Sequence, residues 1–132
     1  MFIDSAFGAP FVERLRNMGH KNVHEIRFGG PSPDVHTLNM RAFMWSRLRD
    51  WLRSGMIDSK DERLEADLSG PGYKINATDK LVLESKEDMA KRGVTSPDDA
   101  DALALTFAAA VGVGRRARPT GDFAYTPTEY AW

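Results

Sequence analysis

Residues 96–107, with the sequence SPDDADALALTF, constrain this chain more than any other stretch. They place acidic side chains at the start of a helix that is otherwise almost wholly apolar. Ser96 is a favoured N-cap, and Pro97 suits the first helical position. Asp98 and Asp99 would then face the positive end of the helix dipole, which explains both acids as capping residues. The pattern therefore predicts a helix that begins here and buries its apolar face.

Asp101 is not explained by capping. It lies three residues after Asp98, on a helix face that continues through Leu105 and Ala108 toward the core. A carboxylate in that position is strongly destabilising unless a cation or hydrogen-bond donors meet it. Two interpretations follow. In the preferred one, Asp98 and Asp101 form half of a metal site; in the other, Asp101 pairs with an arginine.

The two interpretations predict different outcomes for the substitution Asp101→Asn. In a metal site, the substitution abolishes metal binding and leaves metal-free stability nearly unchanged or raised, because it removes repulsion among clustered acids. In an ion pair, the same substitution lowers stability, because the arginine loses its partner.

The composition is that of one folded domain, with 42% apolar and 28% charged residues in a chain of 132. A formal charge of −1 gives no general attraction to nucleic acid, so a DNA contact would need a local basic patch. Because the chain has no cysteine, disulfides, thiolate catalysis and zinc-thiolate sites are excluded. The sequence shows neither a signal peptide nor an apolar run that could span a bilayer, so we expect a cytoplasmic protein without a membrane partner.

The first residues predict a parallel β-α-β unit. Residues 1–4 form a short apolar strand ending in Asp4, a helix runs from Pro10 to Gly19, and residues 22–28 alternate as a second strand. Ligands of such units collect at the carboxyl ends of the strands, where Asp4 lies. Asp4 is equally explained as a turn residue that satisfies the loop backbone. Because the first strand begins at once, we expect its other partner strands to be absent from this chain.

The rest of the chain is expected to add helices and one hairpin to this unit. In the long helix, Trp45 and Leu48 belong to the apolar stripe and are expected in the core, whereas Arg41 is expected on an outer face. Residues 1–112 would form one domain, and residues 113–132 a basic and aromatic tail. The predicted elements are a long helix, a short polar helix, a β-hairpin and a short basic helix, at residues 34–54, 59–68, 73–84 and 86–92.

Residues 84–93 (ESKEDMAKRG) followed by residues 96–103 (SPDDADAL) resemble the end of the nuclease domain in large terminase subunits of tailed bacteriophages, which are DNA-packaging motors. Upstream, FID at residues 2–4 and NMR at residues 39–41 fall in the order of that family. The resemblance covers roughly residues 1–111. It implies an α/β fold of the RNase H-like class, in partial form, with a mixed sheet flanked by helices and a small β-hairpin.

The resemblance also implies an activity, the endonucleolytic cutting of concatemeric viral DNA by two-metal phosphodiester hydrolysis with Mg²⁺ or Mn²⁺. Asp4 and Asp101 would correspond to two catalytic acids and Asp98 to an auxiliary ligand, so all three would bind metal. The family's first-strand aspartate, to which the bridging of the two metals is assigned, has no counterpart here. We therefore expect weak binding of a single ion and low activity of the chain by itself.

In the family context, the partners are double-stranded DNA, the terminase ATPase domain, the small terminase subunit and the portal protein, in the cytoplasm of a bacterial host. Two alternatives stay open. One is a non-enzymatic DNA-contacting or packaging-assembly module, and the other is a resolvase-like nuclease of the same fold. The candidate DNA-binding residues are basic side chains of the hairpin and the short helix after it, namely Lys74, Lys80, Lys86, Lys91 and Arg92.

Overall fold

A computed structural model describes residues 1–110; the predicted tail at residues 113–132 lies outside them. No helix within residues 1–110 is both long and apolar enough to cross a membrane. In chain order, the elements of this part are β1 (Phe2–Asp4), α1 (Ser5–Asn17), β2 (His24–Ile26), α2 (Met40–Trp51), α3 (Glu62–Ser69), β3 (Tyr73–Ile75), β4 (Leu81–Leu83), α4 (Lys86–Lys91) and α5 (Asp98–Leu105).

The predicted β-α-β unit is present. Strands β1 and β2 pair in parallel with Asp4 opposite Ile26, and α1 packs on both strands. The helix begins at Ser5, before the predicted start at Pro10, because the Asp4 carboxylate accepts a hydrogen bond from the Ala6 amide at 3.1 Å and caps the helix. Asp4 is therefore both the last residue of β1 and the N-cap of α1.

The predicted hairpin is the second sheet. Strands β3 and β4 pair antiparallel, with Tyr73 opposite Leu83. The chain before α2 anchors the hairpin, since the Leu81 amide donates to the His36 carbonyl at 2.8 Å and the Leu38 amide donates to the Leu81 carbonyl at 3.0 Å. A parallel and an antiparallel pair of strands flanked by helices confirm the predicted α/β class.

The core lies between α2 and α5. Helix α5 presents alanines to α2, which lets the two helices approach closely around larger side chains of α2. Trp45 is buried in this core, as predicted, and Asp101 lies on the buried face of α5. Helix α5 also contacts β1 and α3, so it is held from several sides. The buried cluster consists of Met44, Trp45, Leu48, Ala100, Ala104 and Ala108.

Candidate functional site

The carboxylate of Asp101 is the most deeply buried acid of the described residues, with 4% of the residue exposed. Its Oδ1 atom accepts hydrogen bonds from Arg41 Nε at 3.0 Å and from Trp45 Nε1 at 2.8 Å. Arg41 and Trp45 lie four residues apart on α2, so both side chains project toward α5. The arginine partner that the sequence left as an alternative is therefore present in the structure.

The second oxygen of Asp101 faces a lysine. Lys86 Nζ lies 3.0 Å from Asp101 Oδ2 and 3.1 Å from Asp98 Oδ1, but only the contact with Asp98 is aligned as a hydrogen bond. Asp101 Oδ2 is buried, and the ammonium of Lys86 is the group that compensates its charge. The ammonium group of Lys86 thus lies between two carboxylates that converge on one cation.

Electrostatics keeps Lys86 and Asp98 charged at neutral pH. Burial acts to lower the pKa of Lys86, but the contacts with Asp101 and Asp98 outweigh it and raise that pKa above its ordinary value. The pKa of Asp98 is lowered, first by the hydroxyl of Ser96, which donates to Oδ1 at 2.6 Å, and then by Lys86. Asp98 and Lys86 therefore form an ion pair over the physiological pH range.

Arg41 connects the acid to both sheets. Its Nη1 donates to the Glu84 carbonyl beyond β4 at 2.9 Å, and its backbone amide donates to the Phe28 carbonyl beyond β2 at 2.8 Å. The prediction that Arg41 lies on an outer face is wrong, since only 9% of the residue is exposed. Position 41 is in the first turn of α2, where the helix meets the ends of β2 and β4, so a side chain there points inward.

The first turn of α5 is capped by a different helix. Asp67 of α3 is buried, and its Oδ2 accepts a hydrogen bond from the Asp99 amide at 2.9 Å. The N-cap residue of α5 is Pro97, which has no side chain able to accept such a bond, and the predicted cap, Ser96, binds Asp98 instead. Sequence analysis missed Asp67; the available signal was an acid one turn after Leu64, on the anchoring face of α3.

We expect Asp67→Ala to lower the free energy of unfolding by about 1 kcal/mol, because it removes the acceptor that satisfies an orphan amide of α5. Asp67→Asn keeps an acceptor oxygen and should lose less. Urea denaturation of both variants measures the difference. Equal losses in the two variants would mean that the charge of Asp67, not its hydrogen bond, carries the stabilisation.

The structure brings two of the three predicted metal ligands together. Asp98 and Asp101 share Lys86, whereas Asp4 caps α1 and lines a surface cavity with residues 27–31. Strand β1 and helix α5 are in contact, so Asp4 ends a strand beside the helix that carries the other two acids. In the described part of the chain, no three His, Asp or Glu side chains group closely enough to hold a metal ion.

Asp98 and Asp101 offer the kind of donor atom that a hard divalent cation takes. Mg²⁺ and Mn²⁺ take carboxylate oxygens as ligands. Asp98 Oδ1 and Asp101 Oδ2 already converge on one cation, the ammonium of Lys86, at 3.1 and 3.0 Å. The pair therefore offers two carboxylate oxygens at the place that the ammonium of Lys86 holds, and the described residues group no third acid with them.

Most of the candidate DNA-binding side chains are already paired with acids. Lys86 contacts Asp98 and Asp101, Lys91 Nζ lies 2.6 Å from Asp88 Oδ1, and Arg92 Nη2 lies 2.6 Å from Glu84 Oε2. The hydrogen bonds from Arg92, and next the Gly72 amide, lower the pKa of Glu84 to about 2. Among residues 1–110, the remaining candidates, Lys74 and Lys80 of the hairpin, take part in no ion pair.

The β-α-β unit, the hairpin and the helices packed around α2 and α5 define an α/β protein with one parallel and one antiparallel pair of strands. The chain is similar in structure to the nuclease domain of the large terminase subunit gp2 of bacterial virus Sf6, with a TM-score of 0.58 and 23% sequence identity. The match covers 83% of this chain and 64% of that one, so this chain spans less than two-thirds of that structure. No family model and no curated protein matches the sequence. The resemblance stated from the sequence is confirmed at the level of the fold.

Proposed function

We propose that this chain is part of a metal-dependent DNA endonuclease module of a phage packaging terminase. The fold supports the nuclease class. The observation that carries the proposal is the convergence of Asp98 and Asp101 on one cation at the start of α5. Asp101 has one oxygen held by Arg41 and Trp45 and the other turned toward a cation, which is how an oriented metal ligand is arranged, and its helix contacts β1.

In this proposal, Asp98 and Asp101 would each give one oxygen to Mg²⁺ or Mn²⁺. Asp4, which caps α1 at the end of β1, is the third proposed acid and would have to move toward them to join the site. A bound divalent ion supplies Lewis-acid stabilisation of a phosphodiester and a more acidic water. Lys86 neutralises the same two carboxylates, so an ion can bind only if the Lys86 ammonium moves away. We therefore expect weak metal binding to the wild-type chain.

The substrate in this proposal is double-stranded DNA. Lys74 and Lys80 carry positive charge on the hairpin that no acid of the described residues pairs. Such side chains can contact phosphates without reading sequence, and the displaced ammonium of Lys86 would add a third cation. The terminase ATPase domain, the small subunit and the portal protein are the proposed partners, in the cytoplasm of a bacterial host.

The test is nicking of supercoiled plasmid with Mn²⁺, by the wild-type chain and by two variants. We expect slow conversion to open circles that EDTA stops, and a loss of at least about 100-fold in Asp101→Asn. Asp99→Asn is the matched control, because Asp99 lies in the same helical turn but pairs with Arg63 of α3 at 2.7 Å. Equal nicking by wild type and Asp101→Asn, or nicking that persists in EDTA, would refute the proposal.

A second candidate is a DNA-contacting module without nuclease activity. The observation in its favour is that Arg41 and Lys86 already compensate the charge of Asp101, as in a structural ion pair. This candidate expects a mobility shift of duplex DNA that weakens with salt and in a Lys74→Gln, Lys80→Gln double variant, with no Mn²⁺-dependent nicking. Nicking that depends on Asp101 would exclude it.

A further inference from the structure

The hairpin of β3 and β4 has one apolar face, and part of this face is exposed to solvent. The strand register places Tyr73 opposite Leu83. It also places Ile75 opposite Leu81, so the four side chains share one face. The two leucines of β4 are partly buried, whereas Tyr73 is 72% exposed and Ile75 is 56% exposed. The outer strand β3 therefore presents an aromatic and a β-branched side chain to water.

The exposed face borders an apolar groove of about 310 Å³ between the hairpin and the helices. Leu48 and Leu52 of α2 and Leu68 of α3 line the groove on the helix side. Tyr73 and Leu81 line it on the hairpin side. A contiguous apolar surface that is open to solvent indicates a binding site, whereas single exposed apolar residues do not. The occupant that suits this groove carries apolar side chains.

Strand β3 also has a free backbone edge. Within residues 1–110, its only partner strand is β4. The Asn76 amide donates to the Lys80 carbonyl at 3.0 Å, so position 76 is a hydrogen-bonded position of the hairpin. Because these positions alternate in an antiparallel pair, the amides of Tyr73 and Ile75 point away from β4, toward the free edge. Such an edge can accept one more strand.

We propose that residues 122–126 of this chain, with the sequence DFAYT, add as a strand along the free edge of β3 and cover the groove with Phe123 and Tyr125. These residues lie outside the part of the chain that the structure describes. Because the two aromatic residues are two positions apart, an extended backbone places both on one face. Phe, Tyr and Thr favour strands, and Pro127, which has no N–H, follows directly. Segments bound in this way gain main-chain hydrogen bonds and place alternate side chains in pockets.

Charge complementarity supports this occupant. Lys74 lies on the hairpin face opposite to Tyr73, and among residues 1–110 it takes part in no ion pair. In the added strand, Asp122 lies on the face opposite to Phe123. When Phe123 covers the apolar face, Asp122 therefore comes to the face of Lys74. Opposite charges on neighbouring strands stabilise such a pairing.

The described part of the chain brings the segment within reach of the groove. The Phe107 ring, just after α5, lies 5.8 Å from the ring of Trp51, the last residue of α2. Leu52, the next residue, lines the groove. The connecting residues 111–121 can span about 36 Å when extended. A domain of about 110 residues has a radius of gyration of about 13 Å. The connection is therefore long enough for the strand to form within one chain.

A second run of residues has the same pattern and supplies a matched control. Residues 129–132 (EYAW) repeat the order acid, aromatic, alanine, aromatic of residues 122–125 (DFAY). The first run is the proposed strand, because the loop that it closes is shorter and costs less entropy. The test variant carries Phe123→Ser and Tyr125→Ser, and the control variant carries Tyr130→Ser and Trp132→Ser.

Hydrogen exchange of backbone amides, followed by NMR in the full 132-residue chain, tests the proposal. We expect the amides of Tyr73 and Ile75 to be protected in the wild type, because an added strand gives them acceptors. In the test variant, these two amides should exchange at least about tenfold faster than in the wild type. In the control variant, they should stay within about twofold of the wild type. The Asn76 amide, which is bonded inside the hairpin, reports that the hairpin is folded in every form.

Three results would overturn the proposal. The first is that the amides of Tyr73 and Ile75 are unprotected in the wild type, or stay protected in the test variant. The second is that the control variant loses the protection, which would assign the edge to residues 129–132 instead. The third is protection that rises with protein concentration together with a dimer mass in light scattering, which would place the segment of a second copy on the edge.

Discussion

Asp101→Asn should lower the free energy of unfolding by about 3 kcal/mol in the absence of metal, since removing one partner of a buried ion pair leaves the other charge uncompensated. The charge left behind is that of Arg41, which is also buried. The loss stays near the low end of the range because the asparagine oxygen can still accept hydrogen bonds from Arg41 and Trp45. The preferred interpretation of the sequence, a metal site, predicted little or no loss of stability, whereas the alternative, a pair with an arginine, predicted a loss.

The matched control is Asp98→Asn, in the same helix and with the same lysine partner. The Asp98 side chain is 68% exposed, so its ion pair with Lys86 is screened by water and should contribute less than about 1 kcal/mol. Urea denaturation of both variants in EDTA gives the comparison. Equal small losses would show that the Asp101→Asn substitution removes repulsion between acids and leaves no buried charge without a partner. That is the result expected for a site built only of acids.

Local patterns predicted the elements of this fold well. The order of strands and helices, the parallel pairing of β1 with β2 and the hairpin all follow from hydrophobic periodicity and from Gly and Pro at the boundaries. The main differences are at helix starts. Residues 34–39 are not part of α2, whose N-cap is Asn39, and α1 begins directly after Asp4. Caps depend on one side chain and its backbone angles, which periodicity does not contain.

The partners of the acids could not be predicted in the same way. Arg41 and Asp101 are separated by 60 residues, and Asp67 and Asp99 by 32, so nothing in either local pattern identifies the other member. Arg41 also looked like one of several solvent-facing arginines of its helix, because its neighbours at positions 47, 49 and 53 are arginines too. Burial of Asp101 was predictable from its helix face, but the cation that compensates it depends on how α2 and α5 cross.

Because α2 and α5 cross where Arg41 meets Asp101, we expect strong energetic coupling between these two residues. This is the second large effect that the structure predicts. Arg41→Met and Asp101→Leu should each cost about 3 to 5 kcal/mol, because each leaves one buried charge without its partner. The double variant leaves neither charge and fills the space with apolar atoms. It should therefore be more stable than the sum of the single losses predicts, by a coupling energy of about 2 to 3 kcal/mol.

A double-mutant cycle by urea denaturation measures this coupling. Trp45 Nε1 loses its acceptor in every form that carries Asp101→Leu, so this cost appears in both the single and the double variant and cancels from the coupling term. Arg49→Met with Asp101→Leu is the control cycle, since Arg49 lies on the same helix but pairs with Asp50 at the surface. If the losses in the Arg41 cycle are additive, its coupling energy is near zero, as in the control cycle. That result would mean that Lys86 and water, and not Arg41, neutralise the buried carboxylate.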